Sequence, residues 1–284
     1  MRTALRIIKN ADKLFAKGNI EGRRIALEVL EYALQEVNTY NAVKRTIGIR
    51  DDKLIVGEFE YELSKLRNIY VIGAGKATFE IAKALEDTLQ EMIIDGVIIE
   101  KKCKGKKAKK LNRIRVFAAG HPIPDETGFE GAVEVAKLAE RADEGDLVFV
   151  AVMGGCSALM PSPAKGLTLE DKKRVNKLLL KCGTTIDEIN IVRKHLSAIK
   201  GGKLALLIHP AEIVNLIVIH EVAGEPWGPT IPDKTTFKDA VAVLKNHNLW
   251  GVIPETVRIH LEKADLKNET LKMEDFEAIG IKAR

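Results

Sequence analysis

Five short apolar runs, at residues 69–73, 96–100, 115–119, 146–153 and 214–222, alternate with stretches whose apolar residues recur at helical spacing. No other feature of the chain restricts its fold as much. A strand that is apolar along its whole length has both faces covered, and strands joined through helices run parallel. The pattern predicts an α/β protein, a Rossmann-like three-layer sandwich with a mostly parallel sheet and a helical N-terminal extension. Helices are expected over 76–95, 128–142, 168–182 and 202–208. In open sheets of this kind ligands sit beyond the carboxyl ends of the strands, so the loops following the runs are where chemistry is sought.

Ahead of the sheet, Leu5, Ile8 and Leu14, then Ile25, Val29 and Leu34, fall at helical spacing. They predict two helices parted at residues 18–22, followed by a small hairpin over 47–57. The expected organisation is one domain over 1–284, with a helical extension at 1–60, a core at 61–259 and a tail at 260–284 holding one helix. A hydrophobic content of 46% can fill such a core, and every apolar run is far shorter than the ~20 residues that cross a bilayer. Cys103, Cys156 and Cys182 are widely spaced and form no CxxC pair, as thiols of a reducing compartment would be. A cytoplasmic protein with no membrane partner is expected. With 45 Lys and Arg against 40 Asp and Glu, the net charge of +5 implies small anions and no nucleic acid. The lysine-rich segment 101–115 carries no aromatic residue on which bases would stack, so it reads as a solvated loop.

Four post-strand loops carry candidate anion chemistry. Gly73-Ala74-Gly75-Lys76-Ala77-Thr78 enters a helix, where free N–H groups, the helix dipole and the Lys76 charge favour a phosphate or carboxylate. It is neither a dinucleotide fingerprint, since Thr78 stands where the third glycine belongs, nor a P-loop, since Ala77 replaces Ser or Thr. A turn that only packs helix on strand is the plainer alternative. Gly154-Gly155-Cys156-Ser157 can form a nest of N–H groups with a hydroxyl beside it. Cys156 has no His or Asp patterned to activate it, which makes it a packed small residue. In Gly120-His121-Pro122-Ile123-Pro124-Asp125, the two prolines fix His121 and Asp125 as a binding wall, a general acid/base pair or a rigid turn. Arg193, Lys194, Lys200 and Lys203, near Gly201 and Gly202, can surround a polyphosphate or face water.

A fifth loop begins His220-Glu221-Val222-Ala223-Gly224-Glu225 and runs into Gly228-Pro229-Thr230. Glu221 and Glu225 are the candidate ligands of a magnesium ion, which takes a few carboxylates together with substrate oxygens.

In order and wording these loops resemble the glycerate 2-kinase family, whose complete members end in a MOFRL domain. The matching stretches are the GAGKA of Gly73–Ala77, GHPIPD from Gly120, GGCSAL from Gly154, GLTLEDK from Gly166, EINIVRKHLS from Glu188, KGGKL from Lys200 and GPTIPD from Gly228. The resemblance implies transfer of the ATP γ-phosphate to the 2-hydroxyl of D-glycerate with Mg²⁺, while some relatives have been described as hydroxypyruvate reductases. It implies that Lys76 acts at the substrate or the transferred phosphate. We add Arg193 as a catalytic cation, and Gly73, Gly75, Gly154, Gly155, Ser157, His121, Asp125, Lys200 and Lys203 as the anion-binding set. Both family aspartates of the fifth loop are glutamates here, Glu221 and Glu225, and its link to Gly228 is shortened to Pro226-Trp227. The resemblance also implies that a MOFRL domain belongs beyond Arg284 and supplies one wall of the cleft. The expected partners are therefore ATP, a glycerate-like hydroxy acid, and either a separate MOFRL-domain chain or a second copy. A binding protein that lost the chemistry and a reductase are the competing readings.

Overall fold

The structure, a computed structural model, describes residues 5–103, 105, 109–219 and 227–284. Three helices, α1 (Ala11–Phe15), α2 (Ile20–Glu36) and α3 (Thr39–Thr46), precede a small antiparallel sheet of β1 (Ile47–Arg50), β2 (Lys53–Val56) and β3 (Phe59–Glu62). The expected hairpin is thus two strands of a three-stranded meander. Its first turn places Asp51 and Asp52 at φ 48° and 57°, a positive-φ pair that matches the twist of the flanking strands. Helix α3, which the helical spacing does not predict, is capped by the Asn38 side chain. On α2 the residues Ile25, Val29, Leu30 and Tyr32 are exposed, so this helix turns apolar side chains outward.

The five apolar runs become β4 (Ile69–Gly75), β5 (Ile93–Lys101), β6 (Ile114–Ala119), β7 (Leu147–Met153) and β8 (Glu212–Val218). They form one all-parallel sheet in the order β6-β5-β4-β7-β8. Successive strand residues face opposite layers, as the pleat requires. Tyr70, Ile72 and Ala74 of β4, with Val148, Val150 and Val152 of β7, join the core on one face. Val71, Leu147, Phe149 and Ala151 join the core on the other, against Ile81, Leu85 and the meander.

Helices α4 (Thr78–Leu89), α5 (Glu126–Arg141), α6 (Cys156–Leu159), α7 (Leu169–Lys181), α8 (Ile186–His195) and α9 (Lys203–Ile208) join or follow these strands. Helix α4 is shorter than the expected 76–95 because Gln90 adopts φ 46° and ends it, which frees Ile93 to start β5. Helix α8, capped by a Thr185–Glu188 box, packs with α7 and with α10 (Phe237–Asn246) and α11 (Glu255–Lys263) around a third apolar cluster.

The tail does more than add one helix. After α12 (Met273–Ile279) the chain runs beside β8, where Ile213 N donates to Lys282 O at 2.8 Å and Asn215 N to Arg284 O at 2.7 Å. Just before α12, Leu271 N donates to Gly201 O at 2.9 Å and Asp233 N to Leu271 O at 2.8 Å. The last residues therefore close one edge of the sheet and brace the loop that carries Lys200. No helix among the described residues is long and apolar enough to cross a membrane.

Candidate active site

In the strand order β6-β5-β4-β7-β8 the connections leave β4 towards one edge and β7 towards the other, so the crevice of this open sheet opens above the carboxyl ends of β4 and β7. Both glycine loops emerge there and touch, with Lys76 N donating to Gly154 O at 3.1 Å. Gly155 lies where three loops converge. Its φ is +97°, and a Cβ on it would stand 3.1 Å from His121 Nε2 and 3.2 Å from Lys76 Cγ, so only glycine fits. Lys76, His121 and the Gly154-Gly155 turn are thereby brought together.

Gly73 and Gly75 lie one layer down, inside β4. A Cβ on Gly73 would meet Ala151 O at 2.0 Å, and one on Gly75 would meet Met153 Cβ at 2.6 Å. Their smallness lets β7 approach, and it seats the Lys76 turn directly on the sheet. Beneath the same turn Thr78 Oγ1 is buried without a hydrogen-bond partner.

Ser157, in the short helix α6, accepts a hydrogen bond from Lys200 Nζ at 3.1 Å. Arg193, in the last turn of α8, donates through Nε to Asn176 Oδ1 at 2.7 Å and through Nη2 to the same oxygen. Lys172, on α7, is buried and donates to Leu196 O, the C-cap carbonyl of α8, at 2.9 Å. Lys172 and Asn176 belong to the site although neither was among the residues expected there. Lys172 does sit inside the GLTLEDK stretch, but nothing in its spacing marked it.

The electrostatics have one sign. Burial, then the charges of Lys200, Lys203 and Arg193, push Lys172 well below its ordinary value. Burial also lowers Lys200, with Arg193 adding to the effect against the Cys156 thiol, and it brings Arg193 down to about 10. Burial, then Lys76, Lys101 and Arg193, lower His121 and favour its neutral imidazole. Among the described residues no carboxylate forms an ion pair with Lys76, Lys172, Arg193 or Lys200. Buried charges are ordinarily paired, so such a cluster favours the charge of an anionic ligand.

Other expected site residues have different placements. Asp125 caps α5, its Oδ1 accepting from Gly128 N at 2.9 Å and its Oδ2 from Gly120 N at 2.8 Å, so both oxygens are committed to the turn. Lys203 donates to Asn268 O at 2.8 Å, and burial lowers it to about 8 against the opposing charges of Glu269 and Asp233. Lys194 pairs with Asp233, and His195 bonds Ile191 O and Glu269, each at 2.8 Å. Lys203 and His195 hold the tail, and Lys194 holds the loop at Asp233. Cys156 is buried and its thiol is pushed up by that burial, as suits a packed residue. Glu221 and Glu225 lie outside the described residues, and no group of three or more His, Cys, Asp or Glu among the described residues could hold a metal ion.

Fold and site define a class: a parallel α/β protein with a cluster of cations at the switch point of its sheet. Residues 25–262 match the family of the domain of unknown function DUF4147. The glycerate 2-kinase of Pyrococcus horikoshii is 44% identical over 246 residues, which cover 85% of this chain and 54% of the relative. The D-glycerate 2-kinase of Thermotoga maritima is 33% identical, over 80% of this chain and 52% of its own length. Among solved structures, a Pyrococcus horikoshii protein superposes with a TM-score of 0.79 at 42% identity, covering 90% of this chain and 58% of its own. The Thermotoga maritima glycerate kinase superposes with a TM-score of 0.72 at 30% identity, covering 88% and 56%. This chain belongs to the glycerate 2-kinase family, and it corresponds to that family's N-terminal domain. It spans about half the length of the curated relatives it matches.

Proposed function

We propose that this chain binds ATP and D-glycerate, or a similar hydroxy acid, and takes part in moving the γ-phosphate to the 2-hydroxyl. The single observation that carries the reading is the group of cations at the switch point of the sheet, Lys172 and Lys200 buried among them, with which no carboxylate pairs among the described residues. Phosphoryl transfer asks a protein for placement and for positive charge around the transferred group, with little covalent chemistry. Lys76 is the clamp on the transferred phosphate. The Gly154-to-Ser157 turn cradles phosphate or carboxylate oxygens, with Arg193 and Lys200 as supporting cations. His121, held neutral beside Lys76, can accept a hydrogen bond from the attacking hydroxyl.

Magnesium accompanies nucleoside triphosphates and takes oxygen ligands. The described residues offer it no ligand set, and no step here runs through it. The relatives are about twice as long as the matched span, and we propose that a segment equivalent to their remaining half supplies the opposite wall of the cleft.

A coupled ADP-release assay with D-glycerate, run on the chain alone and with the remaining half of the Pyrococcus relative added, tests this. ADP release dependent on both ATP and glycerate, rising when the second half is added, is expected. ATP binding without glycerate-dependent release in either mixture would leave a binding protein. NADH oxidation with hydroxypyruvate would make it a reductase.

A further inference from the structure

Arg193 and Lys194 are consecutive residues in the last turn of α8 and are anchored in opposite ways. Lys194 meets the carboxylate of Asp233, which neutralises it. Arg193 meets the amide oxygen of Asn176, which does not. We propose that Asn176 is a positioning residue that aims the Arg193 guanidinium through a neutral oxygen, so that its whole charge stays available to a bound polyanion. This rests on the reading that the cation cluster is the substrate site.

The geometry supports the assignment at three points. Lys172 and Asn176 are four apart on α7, so they share a face, and both reach α8: one holds the Leu196 carbonyl, the other the Arg193 side chain. The end of α8 and its cation are therefore fixed from one helix. Because Nε and Nη2 converge on one oxygen, Nη1 is left over among the described residues. The charge of Arg193 reaches His121 and Lys200, which places it towards the cleft.

An aspartate would be the better anchor if holding Arg193 were all that mattered. It has the size and shape of asparagine, and it would form a charge-assisted, bidentate pair roughly twice as strong as a neutral hydrogen bond. That pair would cancel the guanidinium charge in a poorly solvated setting, where charge acts most strongly. Asparagine keeps the aim and spares the charge.

The test uses the full chain and inorganic tripolyphosphate as the probe, with affinity measured by calorimetry and folding by thermal unfolding. For Asn176→Asp the expected result is a midpoint equal to or above the parent's and a tripolyphosphate affinity at least ~10-fold weaker. Asn176→Leu, which removes the anchoring oxygen and adds no charge, should also weaken binding, and in an Arg193→Met background that substitution should change affinity less than ~2-fold, because the side chain it aims is gone. Asn176→Asp binding as tightly as the parent overturns the inference alone, and so does an Asn176→Leu loss that persists undiminished without Arg193. A parent protein that takes up no tripolyphosphate sinks both the inference and the substrate-site reading beneath it.

Discussion

The two ends of the central sheet treat charge differently. At the amino ends of the strands the carboxylates of Asp146 and Glu212 are matched. The buried Asp146 carboxylate accepts from Asn68 Nδ2 at 2.8 Å and Asp143 N at 3.0 Å, and Glu212 accepts from Tyr61 at 3.1 Å and pairs with Arg284 at 2.9 Å. At the carboxyl ends Lys76, Lys172, Arg193 and Lys200 gather with no carboxylate among the described residues. A cavity of about 590 Å³, lined by Glu60, Asp146, His209 and Arg284 among others, lies at the matched end. Charges that hold a fold are satisfied by the fold, whereas charges left over await something that arrives later.

The comparison breaks most visibly at Lys76. Lys76→Met should lower turnover by ~100-fold or more in the ADP-release assay with the thermal midpoint unchanged, since the side chain is exposed and its work is electrostatic. At the matched end the signs reverse. Asp146→Ala should cost about 2 kcal/mol in denaturant unfolding, because Asn68 and a backbone N–H lose their acceptor, and ATP affinity should not move.

Lys200→Met sharpens the contrast within one variant. It should weaken ATP binding by ~10-fold and raise the thermal midpoint, because a buried ammonium surrounded by like charge is removed. A fall in both would mean that Lys200 serves the fold.

The smallest effect is expected at Lys203, which faces carboxylates yet titrates low. Its folded value of about 8 lies below the ordinary 10.5, so between those values the unfolded chain binds more protons. Stability therefore rises with pH across that window, and Lys203→Met should flatten the rise in unfolding experiments.

Much of this fold was legible because burial on both faces of a parallel strand leaves uninterrupted apolar runs. All five became strands, and the loops after β4 and β7 meet as strand-end loops in such sheets do. The cation cluster was less legible. Arg193, Lys194 and His195 are equivalent as text, and only the ~100° step per helical residue sends Arg193 to α7, Lys194 to Asp233 and His195 to Glu269 in the tail. Lys172 and Asn176 act through contacts 24 and 17 residues away, which no local pattern encodes. Asp125 shows the converse: a residue suited to acid/base chemistry whose two oxygens are taken by the turn its own prolines shape.

The most direct measurement is a crystal structure of the chain soaked with ATP. The account predicts a phosphate group within hydrogen-bond distance of Lys76, the Gly154-Gly155 turn and at least one of Arg193 and Lys200. A triphosphate seated in the cavity at the amino ends of the strands, with the cation cluster empty, would contradict it.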